Sequence, residues 1–210
     1  MSTKSIDESL FGLIRRQLLC LFFLNPEKSY YLLELINILR TGRGGVQREV
    51  ANLVESGIIT REKSGMKVFF RLAEDCIVTD EMQRLLRKFV DYEGMLSLAV
   101  RDYGTSIRTA VMSKEGEEGS FNLLVSFDGD SESFRWEIER IELLTGIEIL
   151  LSTVQPNELK AHIRNSEAQW ISGGKWKLLA GKAEDLIPEE PENESGISEP
   201  DLFSGTGFTW

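Results

Sequence analysis

Apolar residues recur at helical spacing from Ser9 to Leu24, where Leu10, Leu13, Ile14, Leu18, Leu21 and Phe22 predict a buried first helix that Asn25 and Pro26 end. A second helical pattern covers Tyr30 to Leu39, and Thr41, Gly42, Arg43, Gly44 and Gly45 then read as a turn. In the helix that follows, Val46, Val50, Leu53 and Val54 lie at i, i+4, i+7 and i+8. That stripe faces a core and leaves Arg43, Gln47, Arg48 and Asn52 on the other side. Beyond Gly57, strand-like segments from Ile58 to Lys63 and from Lys67 to Leu72 flank a Ser64-Gly65-Met66 turn. Three helices and a hairpin predict a winged helix-turn-helix over residues 1–78.

From Thr79 to Val100, Met82, Leu85, Leu86, Phe89, Val90, Leu96 and Val100 form an apolar stripe on a linking helix, residues 79–100. Its partner is either the same chain or a second copy. Residues 101–182 alternate: a strand at Ile107–Met112, a polar loop at Ser113–Gly119, a strand at Phe121–Phe127, a helix at Glu132–Leu144, a strand at Ile147–Val154, a helix from Pro156 through Trp170, and a last short strand or helix end at Trp176–Leu179. The fold class is therefore α+β, with an N-terminal winged helix, a linking helix, a C-terminal α/β domain and a tail.

Charge sharpens this division. Residues 1–71 hold 11 Lys and Arg against 7 Asp and Glu, a balance of +4, whereas residues 72–210 hold 13 against 27, a balance of -14. In residues 183–210 Glu184, Asp185, Glu189, Glu190, Glu192, Glu194, Glu199 and Asp201 meet no Lys or Arg, and Pro188, Pro191 and Pro200 interrupt the segment. It reads as a flexible acidic tail, either solubilising or docking a protein partner. The longest apolar run, Leu18 to Leu24, is far shorter than the roughly 18 residues of a membrane span, and Asp7 and Glu8 before it are unlike a secretory signal. A cytoplasmic protein without membrane contact is expected. Two cysteines, Cys20 and Cys76, and one histidine, His162, predict neither a disulfide framework nor a metal site, and no cofactor is expected.

The basic N-terminal part suits double-stranded DNA. A helix fits the major groove while a hairpin lies along the backbone, so Thr41, Arg43, Gln47, Arg48 and Asn52 are candidates for the recognition helix. Arg61, Lys63 and Lys67 are candidates for wing contacts to phosphate.

The segment from Leu10 to Leu72, above all GRGGVQREVANLVESGIITREKSGMKVFFRL, resembles the ArsR-like winged-helix regulators. In one group of these the winged helix is fused to a minimal nucleotidyltransferase domain, which the chain to about Gly181 resembles in element order. The resemblance implies a homodimer formed through helices flanking the winged helix, with recognition helices about 34 Å apart on a palindromic site. Clustered metal-sensing Cys and His do not carry over.

In the nucleotidyltransferases, a Gly-Ser turn holds the nucleotide phosphates, an Asp-x-Asp opens the second strand, and a third acidic residue completes a magnesium clamp. Here Ser120 and Asn122 stand at the paired positions and Leu150 at the third, while the turn is replaced by an acidic loop at Lys114–Gly119. The expectation is a domain without catalytic residues, kept for binding or oligomerisation. Asp128 and Asp130 are the alternative metal pair, although FDGDSES reads as a turn and a helix cap. The functional expectation is a sequence-specific DNA-binding transcriptional regulator and not an enzyme. The alternatives are a nucleotidyltransferase or antitoxin-like protein acting on a partner protein, and an interaction module built on the acidic half.

Overall fold

The computed structural model describes residues 6–114, 120–164, 171 and 176–186. The first helical pattern is two helices, α1 (Ile6–Phe11) and α2 (Leu13–Leu24), separated at Gly12. The expected buried first helix is corrected accordingly: Ile6, Leu10 and Leu13 are exposed, and burial begins at Leu18. From Leu18 to Phe23 every residue of α2 is buried. A helix apolar all round needs neighbours on every side, and α2 has them: α3 (Leu32–Leu39), α4 (Arg43–Glu55), α5 (Thr79–Phe89) and α7 (Glu132–Thr145) surround it.

Tyr30 and Tyr31, expected to begin a helix, instead form β1 (Tyr30–Tyr31), which pairs antiparallel with β3 (Lys67–Leu72). The hairpin of β2 (Ile59–Ser64) and β3 completes a sheet of order β1-β3-β2. The glycine turn is also shorter than expected. Gly44 and Gly45 lie inside the first turn of α4, and the chain reverses at Arg40, whose φ of 49° closes α3 in the left-handed region. This is the winged helix-turn-helix order.

The linking segment is not one helix: α5 ends at Phe89, and α6 (Tyr92–Asp102) starts anew with Asp91 accepting a hydrogen bond from Gly94 N at 2.9 Å. An Asp at that position satisfies an otherwise orphaned helix donor, so the break is encoded locally. Beyond it, β4 (Ile107–Lys114), β5 (Phe121–Phe127), β6 (Ile149–Val154) and β7 (Lys177–Ala180) form a sheet of order β6-β5-β4-β7. β4 is antiparallel to both neighbours, while β5 and β6 are parallel and joined through α7. One face packs Met112, Leu123, Val125 and Phe127 on α6 and α7, and the other packs Val111 and Leu124 on α8 (Leu159–Arg164).

The last helix begins at Leu159, after a turn at residues 156–158, rather than at Pro156; the expectation for residues 165–170 lies outside the described residues. So do residues 115–119 of the acidic loop and the tail from residue 187. The first tail residues form a 3-10 turn (Ala183–Leu186), with Leu186 buried against the α8 face.

α7 joins the two halves because it carries two apolar faces. Phe134, Ile138 and Ile141 point to the C-terminal sheet, whereas Leu143 and Leu144 close the N-terminal core. Asn25 Nδ2 donates to Leu143 O at 2.8 Å, and the terminal Gly146 of α7 has φ 65° with the Leu24 Cβ at 2.6 Å from where a side chain would start. Only glycine meets both demands there. No helix among the described residues is long and apolar enough to cross a membrane.

Candidate nucleic-acid interface

Val46, Val50 and Leu53 fix α4 on the core, and the opposite surface carries exposed Arg43, Gln47, Arg48 and Asn52. Arg43 and Gln47 are one turn apart, as are Arg48 and Asn52. Arg43 opens the helix, where it stands at the end of the reversal that Arg40 makes. Thr41 is half-buried in that reversal, two residues ahead of the helix. Asn52 also lines a hollow with Phe11, Arg15 and Val78, so it lies on the flank of α4 that faces α1 and α5.

Charge on this surface is organised by a residue that the hydrophobic pattern did not single out. Glu49, with its side chain 13% exposed, accepts from Arg15 Nε at 2.8 Å and lies 3.7 Å from Arg48 Nε. Arg48 itself is 72% exposed, so its guanidinium can leave that contact at small cost. Its signal in the sequence is a single acid beside Arg48, and only the fold brings Arg15 to it.

The wing cations divide between two faces. Register pairs Arg61 with Phe70 and Lys63 with Val68, whereas Lys67 pairs with Ser64. Paired residues share a face, so Arg61 and Lys63 project on one side and Lys67 on the other. Lys67 Nζ sits 4.5 Å from the centroid of the Tyr31 ring, a cation–π contact that holds it over β1. Of the three wing candidates, Arg61 and Lys63 share one side of the hairpin and Lys67 lies on the other. Met66 stands fully exposed at the tip.

The turn between α3 and α4 is braced by the C-terminal half. Buried Glu137 of α7 accepts from Arg40 and, at 2.9 Å, from Arg140 Nη2, while Arg140 Nη1 reaches Ile38 O at 3.3 Å. Two guanidinium groups thus converge on one carboxylate, and Arg140 ties it to the last turn of α3.

In the C-terminal sheet, Ser120 precedes β5, and register places Asn122 beside Leu150 on β6 and Ser113 on β4. The three positions that the nucleotidyltransferase comparison singles out do meet at one end of the sheet, as a serine, an amide and a leucine. Asp128 and Asp130 take different partners. Asp128 Oδ2 is 3.2 Å from Arg108 Nη2, and Asp130 Oδ1 accepts from Glu132 N at 3.0 Å to cap α7. Among the described residues no three His, Cys, Asp or Glu side chains group to hold a metal ion. Cys20 is buried in the N-terminal core, and Cys76 is half-buried.

No family model matches the sequence, and no curated protein matches it. Among solved structures, reduced HlyU from Vibrio cholerae N16961 is similar at 22% identity, covering 37% of this chain and 77% of that one, with a TM-score of 0.32. Human N-acetylserotonin methyltransferase in complex with SAM is similar at 16% identity, covering 49% of this chain and 36% of that one, with a TM-score of 0.25.

Proposed function

We propose that this protein is a sequence-specific double-stranded DNA-binding transcriptional regulator. The observation that carries the reading is the outward face of α4, where Arg43, Gln47 and Arg48 stand exposed on a helix fixed from behind by Val46, Val50 and Leu53. Arginine and glutamine supply the bidentate donors and acceptors that distinguish base edges in the major groove. Arg61 and Lys63 on the adjacent hairpin supply phosphate contacts, which position the helix without reading sequence.

The working form is a homodimer. Exposed Ile6, Leu10 and Leu13 of α1 and α2 support this, since these apolar residues have no cover among the described residues. The C-terminal sheet acts as a brace and not as a catalyst, a reading supported by Ser120, Asn122 and Leu150 at the positions where a metal clamp needs carboxylates.

The test is a selection of genomic fragments by the full-length protein, followed by binding titrations on the enriched sequence at several salt concentrations. An enriched inverted repeat is expected, and Gln47→Ala or Arg48→Ala should each lower specific affinity by about 1–3 kcal/mol. Lys63→Ala should weaken all sequences alike and reduce the salt slope by about 1. Unchanged affinity in all three variants refutes the reading.

A further inference from the structure

At the opposite end of the C-terminal sheet from Ser120 and Asn122, Arg108, Thr109, Ser126, Pro156, Asn157 and Lys160 line a pocket of about 350 Å³ together with Leu159. Thr109 and Ser126 are cross-strand partners on β4 and β5, so their hydroxyls share the face that α8 covers. Ser126 is 1% exposed, and its Oγ has no hydrogen-bond partner among the described residues. A buried hydroxyl without a partner costs free energy, and its position on the pocket wall gives it an outlet there.

The surrounding backbone is shaped to the same end. The register of β4 on β5 slips between Ile107 and Thr109, which leaves Arg108 as the extra residue of a bulge, a device that redirects a side chain. On the other flank the chain closes tightly at Gly181. There φ is 87°, and a Cβ would lie 2.6 Å from Arg108 O and 2.8 Å from Thr109 Oγ1. Two cations, two hydroxyls and the Asn157 amide therefore border one polar hollow. Asp128 opposes Arg108, but their 3.2 Å contact is exposed on both sides, and such contacts are weak.

We infer that this pocket binds a phosphomonoester of about pentose-phosphate size. A phosphate dianion offers three oxygens to donors arriving from different directions, matches two cations, and draws Arg108 from Asp128 by its greater charge. The volume lies near the lower limit of small-molecule sites, which fits a pentose phosphate.

The test is an amide NMR titration of the full chain with ribose 5-phosphate, inorganic phosphate, citrate and ribose, each to about 10 mM. Ribose 5-phosphate is expected to give saturable shifts at Thr109, Ser126 and Asn157, with inorganic phosphate about tenfold weaker and citrate and ribose silent at these residues. Arg108→Gln and Lys160→Gln should each weaken ribose 5-phosphate about tenfold, and Ser126→Ala several-fold. An equal response to citrate overturns the phosphate assignment, and inorganic phosphate binding as tightly as the ester overturns the pentose. Shifts confined to Arg43, Arg48 and Lys63, or no saturable shift, overturn the site. Folding of the variants does not decide the matter, since the unmodified chain gives the map. The pocket and α4 lie on separate elements, so failure here leaves the DNA reading standing, and the reverse.

Discussion

Replacing Glu137 tests whether the C-terminal half holds the helix-turn-helix in place. Its carboxylate is 8% exposed and accepts from Arg140, 20% exposed, and from Arg40, 60% exposed. Removing one member of a buried pair costs about 3–5 kcal/mol, because the remaining charge stays desolvated. Here that figure is an upper bound. Arg40 regains water easily, and Arg140 keeps the Ile38 carbonyl at 3.3 Å, so Glu137→Ala should cost about 2–3 kcal/mol. Glu137→Gln keeps one acceptor oxygen for Arg140 but loses the charge and the oxygen that takes Arg40, about 1 kcal/mol. Arg40→Gly should be nearly neutral, since glycine adopts the φ of 49° without strain, Arg40 is itself mostly exposed and Arg140 still pairs Glu137. At roughly 2–4 °C per kcal/mol for a chain of this size, the expected melting shifts are about 8 °C for Glu137→Ala and about 3 °C for Glu137→Gln. Denaturant titration and calorimetry measure both. Glu137→Ala within about 0.5 kcal/mol of the parent, or Arg40→Gly as damaging as Glu137→Ala, would refute the reasoning.

Other perturbations bear on separate links. Tyr30 is buried edge-on against Phe22, its hydroxyl has no partner among the described residues, and burial beside Glu34 and Glu27 pushes its phenol well above the usual range. Tyr30→Phe should therefore raise stability by about 1 kcal/mol in urea titrations, and a loss would show that the hydroxyl is satisfied. Glu142 accepts from Ile149 N at 2.7 Å, yet burial raises its carboxyl above the ordinary value of 4.5, with Glu139 and Glu148 adding to the shift. A carboxyl raised in the folded state binds protons more tightly there than when unfolded. Its destabilising effect is absent below the unfolded value and grows as pH rises through the folded one. Glu142→Gln keeps the acceptor and should flatten that decline from pH 4.5 upward, whereas an unchanged pH profile of stability contradicts the assignment. Gly146→Ala adds a Cβ against Leu24 at a positive φ and should cost about 1–3 kcal/mol by thermal melting; a neutral result would mean that α7 can shift away from α2.

Elements with a single periodic face were legible in the sequence. Val46, Val50 and Leu53 of α4 face one core, and the hairpin of β2 and β3 is marked by the Ser64-Gly65-Met66 turn between two strand-like segments. The boundaries failed where one residue imposes a local geometry: Asp91 capping a second helix inside the apolar stripe of residues 79–100, and Arg40 reversing the chain so that Gly44 and Gly45 enter α4. The candidate DNA face was legible as a polar helix surface, but Glu49 and the Arg40-Glu137-Arg140 group were not. They join residues 34 and 97 positions apart, and no local periodicity carries such a pairing. The pocket at Ser126 was hidden for the same reason, since a serine inside FNLLVSF reads as an ordinary strand residue until α8 buries it.

The shared helix α7 makes the split at residue 78 a boundary of sequence pattern and not of packing. The core around α2 includes Leu86 and Leu144 as fully enclosed members, with Met82, Val90, Met95 and Leu143 packed against it. A fragment of residues 1–78 loses all six. Burial of a leucine contributes about 1.5–3 kcal/mol, so Leu86 and Leu144 alone account for about 3–6 kcal/mol, comparable with much of the 5–15 kcal/mol that stabilises a typical domain. The fragment also uncovers Cys20, which lines one hollow with Leu144, and Phe23, which lines another with Met82, and this favours association between copies. It should therefore show no cooperative melting transition by circular dichroism, while the full chain melts in a single step in which the tryptophans and the helices report the same midpoint. A fragment that melts cooperatively within a few degrees of the full chain would show that the winged helix closes its own core, and the Glu137 contacts would then be a surface bridge between independent units.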